Sequence, residues 1–202
     1  GYYNEPYSVS KVVFTKSGEE VKHTKEKAKA MEDSTAYMIT SMLDDTSITY
    51  GGAMDRVAMK TGTTNFPAST RQKLGMADDA IRDSWVIGYT TKTVIGMWYG
   101  YEEVTKDMVS QGYYCHNLAG TIQRDKLFTA LAHEVFEKNK EDFKMPDSVV
   151  KVNLIAGSSV AKVASEGYGG STITEYFKKG HEPTGKQDTT ALATPTGLSA
   201  TY

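Results

Sequence analysis

The sequence predicts a mixed α/β domain of the α+β class, in which helices flank an antiparallel sheet. Two observations support this prediction. Residues 85–90 and 94–101 are rich in β-branched and aromatic side chains, and a tight polar turn at 91–92 separates them, as in a β-hairpin. Apolar pairs then recur every four residues over 127–136, as in an amphipathic helix that lies on a sheet.

The N-terminal residues predict a second β-hairpin. Residues 10–15 are rich in β formers, residues 17–18 form a Ser-Gly turn, and residues 20–23 return as the second strand. A further strand covers residues 56–63. We expect these strands and the 85–101 hairpin to form one antiparallel sheet.

Two helices are predicted to cover this sheet. The first spans residues 33–44, with Asp33 or Ser34 as its N-cap, and ends before the Gly-Gly pair at 51–52. Its apolar stripe for the core consists of Met38, Ile39, Met42 and Leu43.

The second helix spans residues 121–138 and starts from a Thr121 cap. Its apolar face consists of Leu127, Phe128, Leu131, Ala132, Val135 and Phe136. His133 lies off this face, and a histidine there is more often solvated or hydrogen-bonded locally than catalytic. Between the helices, the polar residues 66–83 predict a surface loop that borders a site.

A proline marks a domain boundary after residue 145. We predict a first domain over residues 1–145 and a small β-rich extension over 146–182, with strands at 149–155 and 171–177. Residues 183–202 are rich in Pro, Thr and Gly and are expected to be a tail or linker.

Composition argues against several kinds of partner and site. The chain has 202 residues, a formal charge of −2 and no basic face, so we expect no nucleic acid and no anionic membrane surface as partner. No Cys or His pair has zinc-ligand spacing, and we expect no metal and no cofactor. Cys115 precedes His116 directly, but catalytic Cys and His are neighbours in space rather than in sequence, which favours a structural cysteine.

The most informative segment runs from Arg56 to Asn65 and has the sequence R-V-A-M-K-T-G-T-T-N. A short apolar run continues into a lysine, a glycine and several hydroxyls, a combination that suits an anionic ligand lying along a strand. The alternative interpretation is a strand that surfaces into a turn at Gly62 and Asn65.

Lys-Thr-Gly on a strand, followed by the D-S-W-V-I-G-Y-T and V-I-G-M-W-Y-G-Y hairpin and a long helix, resembles the C-terminal half of a penicillin-binding protein transpeptidase domain. The segments F-K-M-P-D-S-V-V and E-Y-F-K-K-G-H-E-P-T are similar to the class A, bifunctional type of Gram-positive bacteria. The resemblance covers residues 1–184 and implies a DD-peptidase/β-lactamase-like fold that is incomplete in this chain.

The resemblance implies an active site of three motifs, Ser-x-x-Lys, Ser-x-Asn and Lys-Thr-Gly. Only the third is credible here. The stretches from Ser8 to Lys11 and from Ser159 to Lys162 match Ser-x-x-Lys literally, but both lie in the wrong part of the domain, and no Ser-x-Asn occurs. The nucleophile is therefore expected outside this chain, on a missing N-terminal part of the same protein.

By the same resemblance, residues 60–63 receive roles. Lys60 supplies positive potential and a proton-network contact, and Gly62 lets a peptide backbone approach closely. The hydroxyls of Thr61 and Thr63 bind the substrate carboxylate, and the Thr63 main-chain N–H forms half of an oxyanion hole. Met59 stands where the family usually has Gly, a departure that concerns packing behind the strand.

The implied function is a serine D,D-transpeptidase that crosslinks peptidoglycan stem peptides ending in D-Ala-D-Ala through an acyl-enzyme and binds β-lactam antibiotics. The resemblance places it at the outer face of the bacterial plasma membrane, anchored by a segment absent from this chain. One alternative is a D,D-carboxypeptidase or β-lactamase-type hydrolase. The other is a non-catalytic binding or scaffolding module that retains the strand without the chemistry.

Overall fold

A computed structural model describes residues 1–48, 57–136 and 141–185. The chain forms two compact units. One contains Gly1–Met38 and the segment that begins at Met145, and the other contains Ile39–Lys144.

The N-terminal residues form two small antiparallel sheets. Strand β1 (Tyr2–Asn4) pairs with β4 (Lys27–Lys29), and β2 (Lys11–Val13) pairs with β3 (Glu20–Lys22). The predicted second hairpin is confirmed, with its turn at Gly18, where φ is 73°. The expectation that it joins the main sheet is wrong, because its three-residue strands form a sheet of their own and have only exposed side chains.

Helix α1 (Asp33–Ile48) begins at the predicted cap, where the Asp33 carboxylate accepts the Ser34 N–H at 2.7 Å. The predicted core stripe is wrong at two positions, since Ile39 is 41% and Met42 is 62% exposed. Helical spacing determines which side chains share a face, but a neighbouring element decides how much of that face is covered. The Gly-Gly pair at 51–52 lies outside the described residues.

Strand β5 (Ala58–Asn65) contains the whole Lys-Thr-Gly segment. The alternative of a turn at Gly62 is wrong, because the strand continues beyond it and pairs in register with the following hairpin as far as Thr64. A register shift separates Thr64 from Asn65. The predicted start at Arg56 lies outside the described residues.

The surface loop expected over residues 66–83 contains a helix, α2 (Ala68–Leu74), and the start of a strand. Pro67 occupies the N-cap, and Gly75 ends the helix in the left-handed region with φ of 76°. The loop prediction is wrong because seven residues span about two turns, too few to show an apolar period.

Strands β6 (Ala80–Tyr89) and β7 (Val94–Gly100) form the predicted hairpin. The Thr90 hydroxyl accepts the N–H groups of Lys92 and Thr93 at 3.2 and 3.1 Å, which closes the turn. The predicted pairing of the Lys-Thr-Gly strand with this hairpin is confirmed, and the order in the sheet is β5-β6-β7.

Two short elements that the sequence did not indicate precede the long helix. These are α3 (Lys106–Ser110) and β8 (Cys115–His116), which pairs with the start of β6. Helix α4 (Asn117–Phe136) then begins four residues before the predicted cap, and the Thr121 hydroxyl donates to the Asn117 side chain at 3.4 Å inside the helix. The predicted last two residues, 137–138, lie outside the described residues.

The buried line of α4 differs from the predicted face. It contains every fourth residue: Gly120, Arg124, Phe128, Ala132 and Phe136. Leu127 and Leu131, predicted to be buried, are 54% and 44% exposed, whereas His133 is exposed as expected. The line packs on one face of the sheet, and the core consists of Val57, Met59, Val86, Ile95, Phe128, Ala132 and Phe136.

Beyond the main sheet, β9 (Val149–Ile155) and β10 (Thr172–Lys178) pair antiparallel along seven residues, which confirms the two predicted C-terminal strands. The Ser148 hydroxyl, directly before β9, donates to the Asp33 carboxylate at 2.7 Å and lowers the Asp33 pKa.

No helix of the described residues is long and apolar enough to span a bilayer.

Gly88 tests the packing of α4 on the sheet. A Cβ at this position would lie 2.5 Å from Cζ of Phe128, a ring that is 1% exposed and therefore has little room to move. We expect Gly88→Ala to lower the free energy of unfolding by about 1–3 kcal/mol, the usual range for overpacking. The midpoint of denaturant unfolding measures this effect.

Gly96→Ala is the matched control. Gly96 lies in the neighbouring strand, and a Cβ built there meets nothing within 4 Å. We expect its unfolding midpoint to equal or slightly exceed that of the unchanged protein. Equal destabilisation by both substitutions would contradict the packing of Phe128 against Gly88.

Candidate functional site

The Lys-Thr-Gly segment lies on an edge strand of the described sheet. Among the described residues, β5 pairs with β6 on one side only. An edge strand presents main-chain N–H and C=O groups that a further extended chain can pair with. The open edge runs beside residues 58–65, which include all four candidate residues.

Strand alternation divides the candidate residues between two faces of the sheet. Met59 is buried in the core beneath α4, so Thr61 and Thr63 share the α4 face. Lys60 and Gly62 lie on the opposite face. The structure therefore brings the four residues to one edge, with the cation on one side and the two hydroxyls on the other.

Lys60 is exposed, and its ammonium donates to the Thr61 main-chain carbonyl at 2.8 Å. An ammonium has three N–H donors, so this bond leaves donors for an anionic ligand. The lysine thus places a positive charge directly at the open edge.

The Lys60 face also holds an aromatic pair fixed by a carboxylate. Trp85 and Trp98 have ring centroids 6.4 Å apart, and they are 44% and 39% exposed. Asp83 accepts the Trp98 indole N–H at 3.0 Å and the Thr64 hydroxyl at 2.6 Å. These two hydrogen bonds, the one from Thr64 first, hold the pKa of Asp83 below its usual range.

Gly62 is opposite Trp85 in the register, and a Cβ built there would meet only the Trp85 Cβ at 3.7 Å, an ordinary contact. Its backbone does not adopt a positive φ. The fold itself therefore does not require glycine at this position. What glycine provides is a strand edge that a ligand backbone can approach without a side chain between them.

The α4 face of the site contains a residue that the sequence analysis missed, Arg124. It is 1% exposed, and its Nη1 lies 3.5 Å from the Thr63 hydroxyl, 3.2 Å from the Ser84 hydroxyl and 3.4 Å from the Trp85 carbonyl. Asp125 accepts from Nε and Nη2 of Arg124 at 2.8 Å. The sequence signal that points to it is its place as the one charged residue on the every-fourth-residue line of α4, which the sequence analysis did not use.

Neither of the two Ser-x-x-Lys matches lies in a helix. Ser8 and Ser159 are both in bends, and neither has its lysine on the same helix. The i, i+3 spacing brings a serine and a lysine together only on a helix, so neither match forms a nucleophile with its base.

The Cys115-His116 pair also lacks the features of a nucleophile. Burial raises the pKa of the Cys115 thiol, which disfavours the thiolate. Nδ1 of His116 is 2.9 Å from the Asp79 carboxylate, a local partner. Among the residues that the structure describes, no three His, Cys, Asp or Glu side chains form a group that could hold a metal ion.

Comparison with known proteins agrees with the resemblance in the sequence. The family of the penicillin binding protein transpeptidase domain matches residues 1–105, which include the Lys-Thr-Gly strand and the hairpin. Penicillin-binding protein 1A/1B of Bacillus subtilis is 32% identical over 214 residues, covering 100% of this chain and 23% of that protein. Penicillin-binding protein 1A of Streptococcus pneumoniae is 28% identical, covering 75% of this chain and 21% of that protein.

The chain thus spans less than a quarter of the length of these relatives. Penicillin-binding protein 1F of Bacillus subtilis is 27% identical over 180 residues. Since the family matches more than half of the chain and one relative covers all of it, the predicted membership is confirmed: this chain belongs to the penicillin-binding protein transpeptidase family, with relatives among the class A proteins of Gram-positive bacteria.

Proposed function

We propose that this chain supplies the Lys-Thr-Gly strand of a serine D,D-transpeptidase that crosslinks peptidoglycan stem peptides at the outer face of the plasma membrane. The observation that carries the proposal is the position of residues 60–63 on the open edge of the sheet, inside the segment that the transpeptidase family matches. An edge of this kind suits an extended peptide with a terminal carboxylate, which is the chemistry of a stem peptide ending in D-Ala-D-Ala.

The substrate peptide adds to β5 as a further antiparallel or parallel strand. Main-chain hydrogen bonds set its register, and Gly62 allows its backbone to approach closely. The carboxylate accepts hydrogen bonds from Thr61 and Thr63 on one face, and Lys60 contributes positive potential from the other.

The reaction consists of two acyl transfers. A serine supplied outside this chain attacks the carbonyl between the two D-Ala residues, the C–N bond breaks, and D-Ala leaves with a proton. The amine of a second stem peptide then attacks the serine ester and releases the serine. The Thr63 main-chain N–H stabilises the oxyanion in both steps, a contribution of about 3 kcal/mol for one such donor. A β-lactam acylates the same serine.

Two other functions use the same strand. In a D,D-carboxypeptidase or β-lactamase-type hydrolase, water takes the place of the amine. In a non-catalytic module, the strand binds peptide without acylation. The class A relatives favour the transpeptidase, and crosslinked product formed from two stem peptides, rather than free D-Ala alone, distinguishes it from a hydrolase.

Lys60→Ala tests the assignment in the whole protein that carries this segment and its serine motif. We expect acylation by a fluorescent penicillin to slow on the order of a hundredfold, because the substitution removes a charge that stabilises developing negative charge. The free energy of unfolding should change by less than about 0.5 kcal/mol, since Lys60 is exposed. Stopped-flow labelling and an unfolding midpoint measure the two effects.

Lys126→Ala, at an exposed lysine of α4, serves as the control and should leave the acylation rate unchanged. If the acylation rate of Lys60→Ala stayed within a few-fold of the rate of the unmutated enzyme, the proposed role of this lysine would be contradicted.

The 202-residue chain by itself should form no covalent adduct with a fluorescent penicillin, because its two Ser-x-x-Lys matches lie in bends. Gel fluorescence and intact-mass spectrometry measure the adduct, and Ser8→Ala and Ser159→Ala chains serve as controls. A stable adduct that disappears in either variant would overturn the assignment of the nucleophile to another part of the protein.

A further inference from the structure

Arg124 occupies an unusual place in the core. It lies on the buried line of α4 between Gly120 and Phe128 and is 1% exposed. Its neighbours in that line are all apolar or glycine. A methionine, an unbranched apolar side chain, would extend the apolar contact between α4 and the sheet.

Fold stability does not account for a charge at this position. A buried ion pair gains little net free energy over well-packed apolar side chains, because both ions lose their hydration. The counter-ion of Arg124 is Asp125, whose side chain is 25% exposed. Because Asp125 is the next residue in the same helix, this ion pair does not join distant parts of the fold. The contacts of Nη1, by contrast, all reach strands of the sheet.

These contacts reach β5, which contains the Lys-Thr-Gly segment, and β6, which pairs with it. Nη1 of Arg124 faces the Thr63 hydroxyl at 3.5 Å and the Ser84 hydroxyl at 3.2 Å. A guanidinium has donors only, so the Thr63 oxygen acts as acceptor toward it. The Thr63 hydroxyl proton is then directed away from Arg124. Thr63 is exposed at the open edge, where a ligand carboxylate would accept that proton.

We propose that Arg124 is a positioning residue for recognition of the substrate carboxylate: it orients the Thr63 hydroxyl as a donor toward the open edge. This inference rests on the proposed function, since it concerns the same strand and the same class of anionic peptide. Arg124 does not touch the substrate, and Thr63 transmits its effect.

The test compares two acyl donors in the whole protein. One is an acyl-D-alanyl thioester whose leaving group is thioglycolate, which carries a carboxylate. The other is the same thioester with that carboxylate capped as a neutral methyl amide. In Arg124→Met, kcat/KM for the charged donor should fall about tenfold to a hundredfold, the range for a hydrogen bond to a charged group. The loss should appear mainly in KM, and kcat/KM for the neutral donor should stay close to that of the unmutated protein.

Three further variants separate positioning from structure. Arg124→Lys keeps the charge and should recover part of the preference for the charged donor. Thr63→Val should lose that preference, and the double variant Arg124→Met/Thr63→Val should lose no more than Thr63→Val alone, because the two residues act as one unit. Phe128→Leu, one turn further along the same buried line, is the structural control and should affect both donors equally.

The outcomes distinguish this inference from the proposed function. Equal loss for both donors in Arg124→Met and in Arg124→Lys, with the preference intact, would overturn the role of Arg124 while leaving the function in place. An unmutated protein that reacts with neither donor, or a Thr63→Val variant with undiminished preference for the charged donor, would overturn the function of the strand itself.

Discussion

The close packing of Phe128 over Gly88 sets the position of α4 on the sheet. The ring comes so near the strand that a Cβ at Gly88 would lie 2.5 Å from it, and both residues are buried. Because helix side chains four residues apart share a face, this contact also brings Arg124 over the strands one turn earlier. The arrangement of charge behind the Lys-Thr-Gly strand therefore depends on an apolar contact in the core.

The two faces of β5 serve different purposes. Beneath α4, Met59 is buried, and Thr63 receives the Arg124 contact at the point where the core ends. Lys60 lies on the other face, which also holds the Trp85 and Trp98 pair, whose rings remain partly exposed. A peptide that adds along the edge would lie between the two faces. It would therefore be within reach of the Lys60 ammonium on one face and of the threonine hydroxyls on the other.

The chain belongs to the penicillin-binding protein transpeptidase family, and the segment that the family matches includes this edge strand. Met59 lies within this strand, directly before Lys60. The resemblance in the sequence implied glycine at this position, yet Met59 is 1% exposed and packs with Val86 and Phe128 in the core. The Met59 side chain packs behind the strand, on the side of α4, whereas Gly62 lies on the opposite face.

The sequence by itself determined the family, the β5–β7 strands and the long helix, since strand and helix periods and the Lys-Thr-Gly motif are local patterns. It failed for α2, which is too short to show a period, and for Leu127 and Leu131, which share the apolar pattern of α4 but are not covered. Only the tertiary structure decided which line of α4 is buried and that Arg124 reaches Thr63, 61 residues away in the chain. Burial depends on which neighbour covers a face, and a contact between distant segments leaves no periodic trace in either of them.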